Sequence, residues 1–113
     1  MNPQALIVDD EPDILDLLSM TLSGMSIDCV SARLLSQQSF DLCFTDMRLP
    51  DGDGLQLVKK IQESHPDLPV AVITAYGNMD LAVTALKSGA FDFVSKPLKL
   101  QVLRELVEAA LKL

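Results

Sequence analysis

Five short apolar runs, separated by longer segments that are mostly of helical periodicity, limit the fold of this chain more than any other feature. The runs are Ala5–Val8, Ile27–Val30, Leu42–Thr45, Val70–Ile73 and Phe91–Val94. The first of them, ALIV, is apolar throughout rather than alternating, which is typical of a strand buried on both faces. Strands that alternate with helices predict an α/β fold with a parallel sheet covered by helices on both faces.

The helical segments have apolar residues at three- and four-residue spacing. They run from about Pro12 to near Gly24, from a cap at Asp53 to just before Pro66, over Asp80–Ser88, and from about Leu100 to the end of the chain. The stretch MRLPDGDG, which follows Asp46, is dense in turn residues and predicts a loop.

The connection between the second and third predicted strands is unusually short. It consists of the residues from Ser31 to Ser39, whereas a parallel crossover normally needs about a dozen residues or more and usually contains a helix. Either this helix is shortened to about one turn, or residues are absent from the sequence. We favour absent residues, because an uncovered sheet face would expose apolar side chains.

The composition indicates one packed, cytoplasmic domain. The chain has 113 residues, of which 49% are hydrophobic and 22% charged, enough for a single core. A net charge of −7, with scattered basic residues, argues against direct nucleic-acid binding. No apolar stretch could span a membrane, and the N-terminus has no signal-peptide pattern. Cys29 and Cys43 lie in apolar strand-like runs and are interpreted as core thiols rather than as a disulfide or metal ligands.

Polar residues follow four of the five predicted strands. They are Asp9, Asp10 and Glu11 after the first strand, Asp46 after the third, Thr74 after the fourth, and Ser95, Lys96 and Pro97 after the fifth. Ligands of open parallel sheets bind at the carboxyl ends of the strands, where the strand order reverses. If the order is 2-1-3-4-5, the three aspartates share one pocket, and Thr74 and Lys96 lie on its far side.

Several carboxylates in one pocket require a compensating cation. Two unit charges about 4 Å apart interact with about 4 kcal/mol at an effective dielectric constant near 20, and Lys96 alone does not balance three acids. Mg2+ fits, since it takes one or two carboxylates together with water and phosphate oxygens. Asp46 could then attack a phosphoryl group whose charge Mg2+ and Lys96 neutralise, while Thr74 donates a hydrogen bond.

Each element of this pattern also has a structural interpretation. Asp9 and Asp10 could stabilise the N-terminus of the following helix through its dipole. Asp46 could be a turn residue at a strand end, and Lys96 an ordinary surface lysine. The occurrence of polar residues after four strands together favours a phosphoryl-transfer site.

The motifs that carry these residues resemble the receiver domain of bacterial two-component response regulators. They are LIVDDEPD, FTDMRLPDGDG, VITAYG and FDFVSKP, and the similarity covers essentially the whole chain. The steps of 28 residues from Asp46 to Thr74 and of 50 residues from Asp46 to Lys96 are also similar to those of the family.

The resemblance implies a doubly wound, five-stranded fold and assigns a role to each site residue. Asp46 is the expected phosphoacceptor, and Lys96, before a cis bond to Pro97, is the expected phosphate-binding lysine. The expected metal ligands are Asp9, Asp10, Asp46 and the main-chain carbonyl of Arg48. The expected switch residues are Thr74 and Phe93. A fixed core ring is the alternative for Phe93. A domain of this kind is a regulatory phosphoacceptor rather than an enzyme.

A finer resemblance points to receivers of sigma-54-dependent transcription activators, of the type that regulates type IV pilus expression. It implies a sensor histidine kinase as partner and a homodimer through the fourth helix, fifth strand and fifth helix, near Val83, Phe93, Lys99 and Leu103. Residues 1–113 would be the receiver, and the ATPase and DNA-binding domains would lie outside this chain. We therefore interpret it as part of a longer protein.

Three alternatives stay open. A phosphatase with an aspartate nucleophile needs a second acid two residues later, where this chain has Arg48. A pseudo-receiver that only binds or dimerises is disfavoured by the full acidic set, and a stand-alone receiver is the third possibility.

One departure from the family pattern is the step of 36 residues from Asp10 to Asp46. This step is roughly seven residues, or two helical turns, shorter than expected, and it puts the second helix in doubt.

Overall fold

The computed structural model describes residues 3–9, 11–31, 40–49, 52–75 and 79–112. Its strands are β1 (Gln4–Val8), β2 (Asp28–Ser31), β3 (Leu42–Asp46), β4 (Arg48–Leu49), β5 (Gly52–Asp53), β6 (Val70–Thr74) and β7 (Asp92–Ser95). Its helices are α1 (Pro12–Gly24), α2 (Gly54–Ser64), α3 (Met79–Lys87) and α4 (Leu100–Leu111). The family resemblance counts α3 as the fourth helix and α4 as the fifth.

The main sheet has the order β2-β1-β3-β6-β7, and every pair of neighbouring strands in it is parallel. All residues of β3 and β6 are buried, because each of these strands has a neighbour on both sides and helices over both faces. The predicted α/β class with a parallel sheet is confirmed. Strand β1 lies between β2 and β3. Strand β2 is added on one side of β1 and the later strands on the other, so the strand order reverses between β1 and β3.

Alternate residues of the central strands face two separate helical layers. Ile7 and Phe44 belong to a core with residues of α1 and α4, whereas Leu6 and Cys43 belong to a core with residues of α2 and α3. The period of two residues along a strand produces this division. The Cys43 thiol is buried and free, as predicted; the side chain of Cys29 lies outside the described part of the structure.

The strands extend slightly further than their apolar runs. Asp46 is the last residue of β3 and Thr74 the last of β6, and β7 is shifted by one residue from the predicted Phe91–Val94. Main-chain pairing causes this extension, because each N–H and C=O needs a partner whatever the side chain. The polar residues of the site are thus held by the sheet itself.

The loop predicted after Asp46 is wrong for part of its length. Strands β4 and β5 form a small antiparallel pair, with Arg48 opposite Asp53 and Leu49 opposite Gly52. Turn residues signal a chain reversal, but they do not distinguish an open loop from a paired hairpin. Asp53, predicted as the helix cap, is the last residue of β5 and directly precedes α2, which begins at Gly54, so its position agrees with the prediction.

Two further predictions concern the short connection after β2 and the absence of a membrane-spanning segment. The short connection predicted from Ser31 to Ser39 falls largely on residues 32–39, which lie outside the described residues. Within the described ranges, no helix has both the length and the apolar character that crossing a bilayer requires.

Candidate functional site

The site lies at the carboxyl edge of the sheet, where β1, β3 and β7 end. Val8 pairs with Thr45 in the parallel register, so Asp9 and Asp46, the next residues on the two chains, come to the same edge. Lys96 directly follows β7, and its N–H donates to the carbonyl of Thr74 at 2.8 Å. Backbone pairing therefore brings together groups from distant parts of the chain.

Lys96 connects two acidic groups of this edge. Its ammonium Nζ lies 2.5 Å from Oε1 of Glu11 and 3.2 Å from Oδ2 of Asp46. Burial lowers the pKa of Lys96, but its hydrogen bonds to Glu11 and Asp46 and the nearby negative charges outweigh burial, so the pKa is raised. The ammonium is charged at neutral pH and interacts directly with Asp46, which is buried.

Three carboxylates form a compact cluster beside this ammonium. Oxygen atoms of Asp9, Glu11 and Asp46 all lie within 4.8 Å of one another. Oδ1 of Asp9 accepts the N–H of Glu11 at 2.8 Å, whereas Oδ2 of Asp9 is buried and has no hydrogen-bond partner among the described residues. Burial raises the pKa of Asp9, and the charge of Asp46 adds to this effect against the opposing hydrogen bond.

This cluster fits a hard divalent cation. A buried carboxylate oxygen without a partner is costly unless it binds a donor or an ion, and Mg2+ and Ca2+ prefer oxygen ligands of this kind. The acidic cluster could therefore hold a metal ion through Asp9, Asp46 and Glu11. Asp10, a predicted ligand, lies outside the described residues, and Arg48, whose carbonyl was the other predicted ligand, is the first residue of β4.

Thr74 is buried at the end of β6, and its hydroxyl makes long hydrogen bonds to its neighbours among the described residues. Its hydroxyl Oγ1 lies 3.4 Å from the carbonyl of Val94 and 3.5 Å from Oγ of Ser95, compared with about 2.7–2.8 Å for a typical O–H···O bond. Both contacts are weak, so the hydroxyl would lose little by moving to a stronger acceptor.

Phe93 is half-buried in β7 and packs against the core of α2 and α3. It also lines a cavity of about 300 Å³, together with residues that include Lys96, Lys99 and Val102. The ring therefore has packed neighbours on one side and open space on the other. The predicted cis peptide bond between Lys96 and Pro97 is present.

Gly54 places the backbone of Asp46 through a close approach. Its N–H donates to the carbonyl of Met47 at 2.9 Å, and a Cβ atom at this position would lie 2.1 Å from the carbonyl oxygen of Asp46. Only glycine fits this contact, because any side chain would displace the backbone of β3. The start of α2 thus packs against the end of β3 and fixes the position of the Asp46 backbone.

Sequence reasoning assigned no role to Glu11, although the structure places it in the cluster. The available signal was its position as the third consecutive acid after β1. Its contact with Lys96 joins residues 85 positions apart in the chain, and no local pattern predicts such a pairing. Ser95, next to the hydroxyl of Thr74, was likewise noted only as a polar residue after the fifth strand.

Comparison with known proteins places this geometry in a family context. The family model of the response regulator receiver domain matches residues 5–108. The response regulator protein PilR of Pseudomonas aeruginosa is 60% identical over 117 residues, which cover 97% of this chain and 26% of PilR. The transcriptional regulator NtrC of Escherichia coli is 36% identical over 112 residues, which cover 93% of this chain and 24% of NtrC.

The chain thus spans about a quarter of the length of these curated relatives. The 117 aligned positions exceed the 113 residues of the chain, so PilR has residues without a counterpart here. Among solved structures, the beryllofluoride-activated NtrC4 receiver domain dimer is similar, with a TM-score of 0.90 and 32% identity over 96% of each chain.

Proposed function

Because the chain belongs to the response regulator receiver domain family, in the class of PilR and NtrC, we propose that it accepts a phosphoryl group on Asp46. The donor is a phosphohistidine of a sensor histidine kinase, the partner that the family resemblance implies. The observation that carries the proposal is the ion pair of Asp46 with Lys96 beside the carboxylates of Asp9 and Glu11.

In the transfer, a carboxylate oxygen of Asp46 forms a bond to phosphorus. The bond between phosphorus and the imidazole nitrogen of the donor breaks, and the nitrogen keeps the electron pair and takes up a proton from water. The Lys96 ammonium, 3.2 Å from Oδ2 of Asp46, is placed to neutralise charge on the transferred group. The buried position of Asp46 restricts water around the acceptor.

We assign Mg2+ to the acidic cluster, held by Asp9 and Asp46 together with the predicted ligands Asp10 and the Arg48 carbonyl. When bound, the ion supplies positive charge to the phosphoryl oxygens, as in other phosphoryl-transfer sites. The partnerless Oδ2 of Asp9 supports this assignment, since an ion would satisfy a lone pair that the described residues leave unsatisfied.

The response to phosphorylation would begin at Thr74. A phosphoryl oxygen offers a charge-assisted hydrogen bond, which is stronger than the two long contacts of the Thr74 hydroxyl. Movement of Thr74 would open space for Phe93, whose ring has free volume on its cavity side. The phosphorylated state would then favour a different arrangement of the surface formed by α3, β7 and α4, which is a population shift.

This surface would be the site of receiver dimerisation. It carries exposed apolar side chains, namely Met79, Val83 and Leu86 on α3 and Leu100 and Val102 on α4. Exposed apolar groups on neighbouring elements mark interaction surfaces in soluble domains. The similar NtrC4 receiver is a dimer in its activated form, which supports the same assembly here.

The consequence would be regulation of transcription. We propose that residues 1–113 are the receiver of a longer protein that contains a sigma-54-dependent ATPase and a DNA-binding domain, as the resemblance to this class of activators implies. Phosphorylation of Asp46 would control the assembly of these domains.

The test is phosphorylation of the purified domain by acetyl phosphate with Mg2+, resolved on a phosphate-affinity gel. We expect a shifted band for the native protein, no shift for Asp46→Ala, and no shift when a chelator removes Mg2+. As a matched control, Asp67→Ala removes an exposed aspartate from the opposite edge of the sheet, before β6, and should shift like the native protein. An unshifted native protein, or a shifted Asp46→Ala variant, would refute the proposal.

A further inference from the structure

Glu11 is the part of the site for which the proposed mechanism has no role. We propose that Glu11 binds the Lys96 ammonium in the unphosphorylated protein and thereby slows phosphoryl transfer to Asp46. The inference rests on the proposed function of Asp46, and it makes Glu11 a positioning residue that acts through Lys96.

The Lys96 ammonium is shared between Glu11 and Asp46. Nζ lies 2.5 Å from Glu11 and 3.2 Å from Asp46. An ammonium has three donors, so it can bind both carboxylates together. Glu11 therefore competes for the ammonium that the proposed mechanism uses at Asp46.

Attraction to Lys96, rather than packing, holds the Glu11 side chain in this position. The backbone of Glu11 is anchored at the start of α1, where its N–H donates to Asp9 and its carbonyl accepts the N–H of Leu15 at 3.1 Å. Its side chain, however, is 53% exposed. A half-exposed carboxylate with rotational freedom meets the ammonium because the ion pair is favourable.

Phosphorylation of Asp46 would draw the Lys96 ammonium away from Glu11. A phosphoryl group carries about −1.5 to −2 charges at neutral pH and three acceptor oxygens, so it would bind Lys96 more strongly than the single charge of Glu11 does. During transfer, however, the attraction of Glu11 opposes the movement of the ammonium towards the phosphoryl group. An exposed ion pair of this kind has a small free energy, so we expect an effect of about two- to fivefold on the rate.

Two substitutions separate the contact from the charge. Glu11→Gln removes the charge, whereas Glu11→Asp keeps the charge but shortens the side chain so that it does not reach Lys96. If the contact restrains Lys96, both variants should be phosphorylated by acetyl phosphate about two- to fivefold faster than the native protein. Rates are measured at Mg2+ concentrations that saturate each variant, because Glu11 also belongs to the acidic cluster.

Asp13→Asn is the matched control. It removes a negative charge from the exposed first turn of the same helix and should leave the rate unchanged. Because Glu11 is exposed, both variants should retain the thermal unfolding midpoint of the native protein to within a few degrees.

Faster transfer in both Glu11 variants, with Asp13→Asn unchanged, would support the proposal. It would be overturned if only Glu11→Gln were faster, since charge alone would then be responsible, or if neither variant were faster. Equal acceleration by Asp13→Asn would also overturn it. Failure of the native protein to become phosphorylated would instead refute the proposed function of Asp46, so the two failures are distinguishable.

Discussion

Asp9 is a residue whose charge is unfavourable in the metal-free fold and would become favourable beside a bound cation. Burial and the charge of Asp46 both raise its pKa, which means that the ionised form is disfavoured in the metal-free fold. Its Oδ2 has no partner among the described residues. A bound cation would offset both unfavourable effects, so the same carboxylate weakens the metal-free protein and stabilises the metal-bound one.

We therefore predict that Asp9→Asn raises the thermal unfolding midpoint of the metal-free domain and reduces its stabilisation by Mg2+. Asparagine keeps an oxygen that can accept the N–H of Glu11 but removes the negative charge. Thermal unfolding with and without Mg2+ measures both effects, since ligand binding to the native state raises the midpoint. A metal-free variant less stable than the native protein would contradict the prediction.

Cys43 is a residue whose protonation is determined by burial alone. It lies in the core, and burial raises the pKa of its thiol from the ordinary value of 9.0 to about 12. The stability that depends on the neutral thiol is fully present below pH 9.0 and is lost as the pH rises through about 12. The native thiol is therefore neither ionised nor accessible near neutral pH.

In a Cys29→Ala background, we predict that Cys43 reacts with a thiol reagent at pH 8 only as fast as the domain opens. The thiolate is the reactive species, and the core excludes both the reagent and the charge. Labelling should become rapid in denaturant, where the thiol has its ordinary pKa. Rapid stoichiometric labelling of the folded protein would contradict the burial of Cys43.

At the scale of secondary-structure elements, the junction of β3 and α2 determines where Asp46 lies. The first residue of α2, Gly54, approaches the Asp46 carbonyl so closely that a Cβ atom would be 2.1 Å away. A shift of α2 would therefore displace the end of β3, and with it the proposed phosphoacceptor. The packing of a helix start against a strand end is the support of the site.

We predict that Gly54→Ala destabilises the domain by at least about 2 kcal/mol and slows phosphorylation of Asp46. Gly24→Ala is the matched control, because Gly24 ends α1 and a Cβ there would meet nothing within 4 Å. This control should be neutral or stabilising by about 0.5–1 kcal/mol, since alanine favours helix. Equal stability of the two variants in urea unfolding would contradict the proposed contact.

At the scale of the whole molecule, the two ends of the proposed signal lie on different surfaces. The acidic cluster is at the carboxyl edge of the sheet, and the exposed apolar side chains are on α3 and α4. Thr74 and Phe93 lie on the adjacent strands β6 and β7. In the proposed mechanism, these neighbouring strands would connect the proposed site of phosphorylation with the proposed dimer surface.

We predict that Val102→Glu weakens dimerisation of the beryllofluoride-activated domain by at least about tenfold. Val102 is 44% exposed on α4, and a charge at an apolar interface would be desolvated without a partner. Met20→Glu changes a side chain on α1 that is 74% exposed and should leave dimerisation unchanged. Sedimentation equilibrium measures both constants; an unaffected Val102→Glu variant would place the interface elsewhere.

The sequence alone predicts the α/β class, the parallel sheet and the edge at which the polar residues of the candidate site lie. The apolar runs and helical spacings indicated the α/β class and the parallel sheet, because periodicity depends only on which residues a covered strand or helix must bury. The same logic placed Asp9, Asp46 and Lys96 at one edge, where the structure brings them together. Turn composition did not reveal the pairing of β4 with β5, which depends on main-chain hydrogen bonds.

By itself, then, the sequence determined the sheet class and the reactive groups at its edge, since both follow from local order along the chain. Only the tertiary structure decided which of these groups touch. Glu11, directly before α1, meets Lys96, directly after β7, at the carboxyl edge of the sheet. Gly54 is required because α2 begins against the Asp46 carbonyl. Contacts of this kind depend on how distant elements pack against one another, and the pattern of side chains along the sequence does not predict that packing.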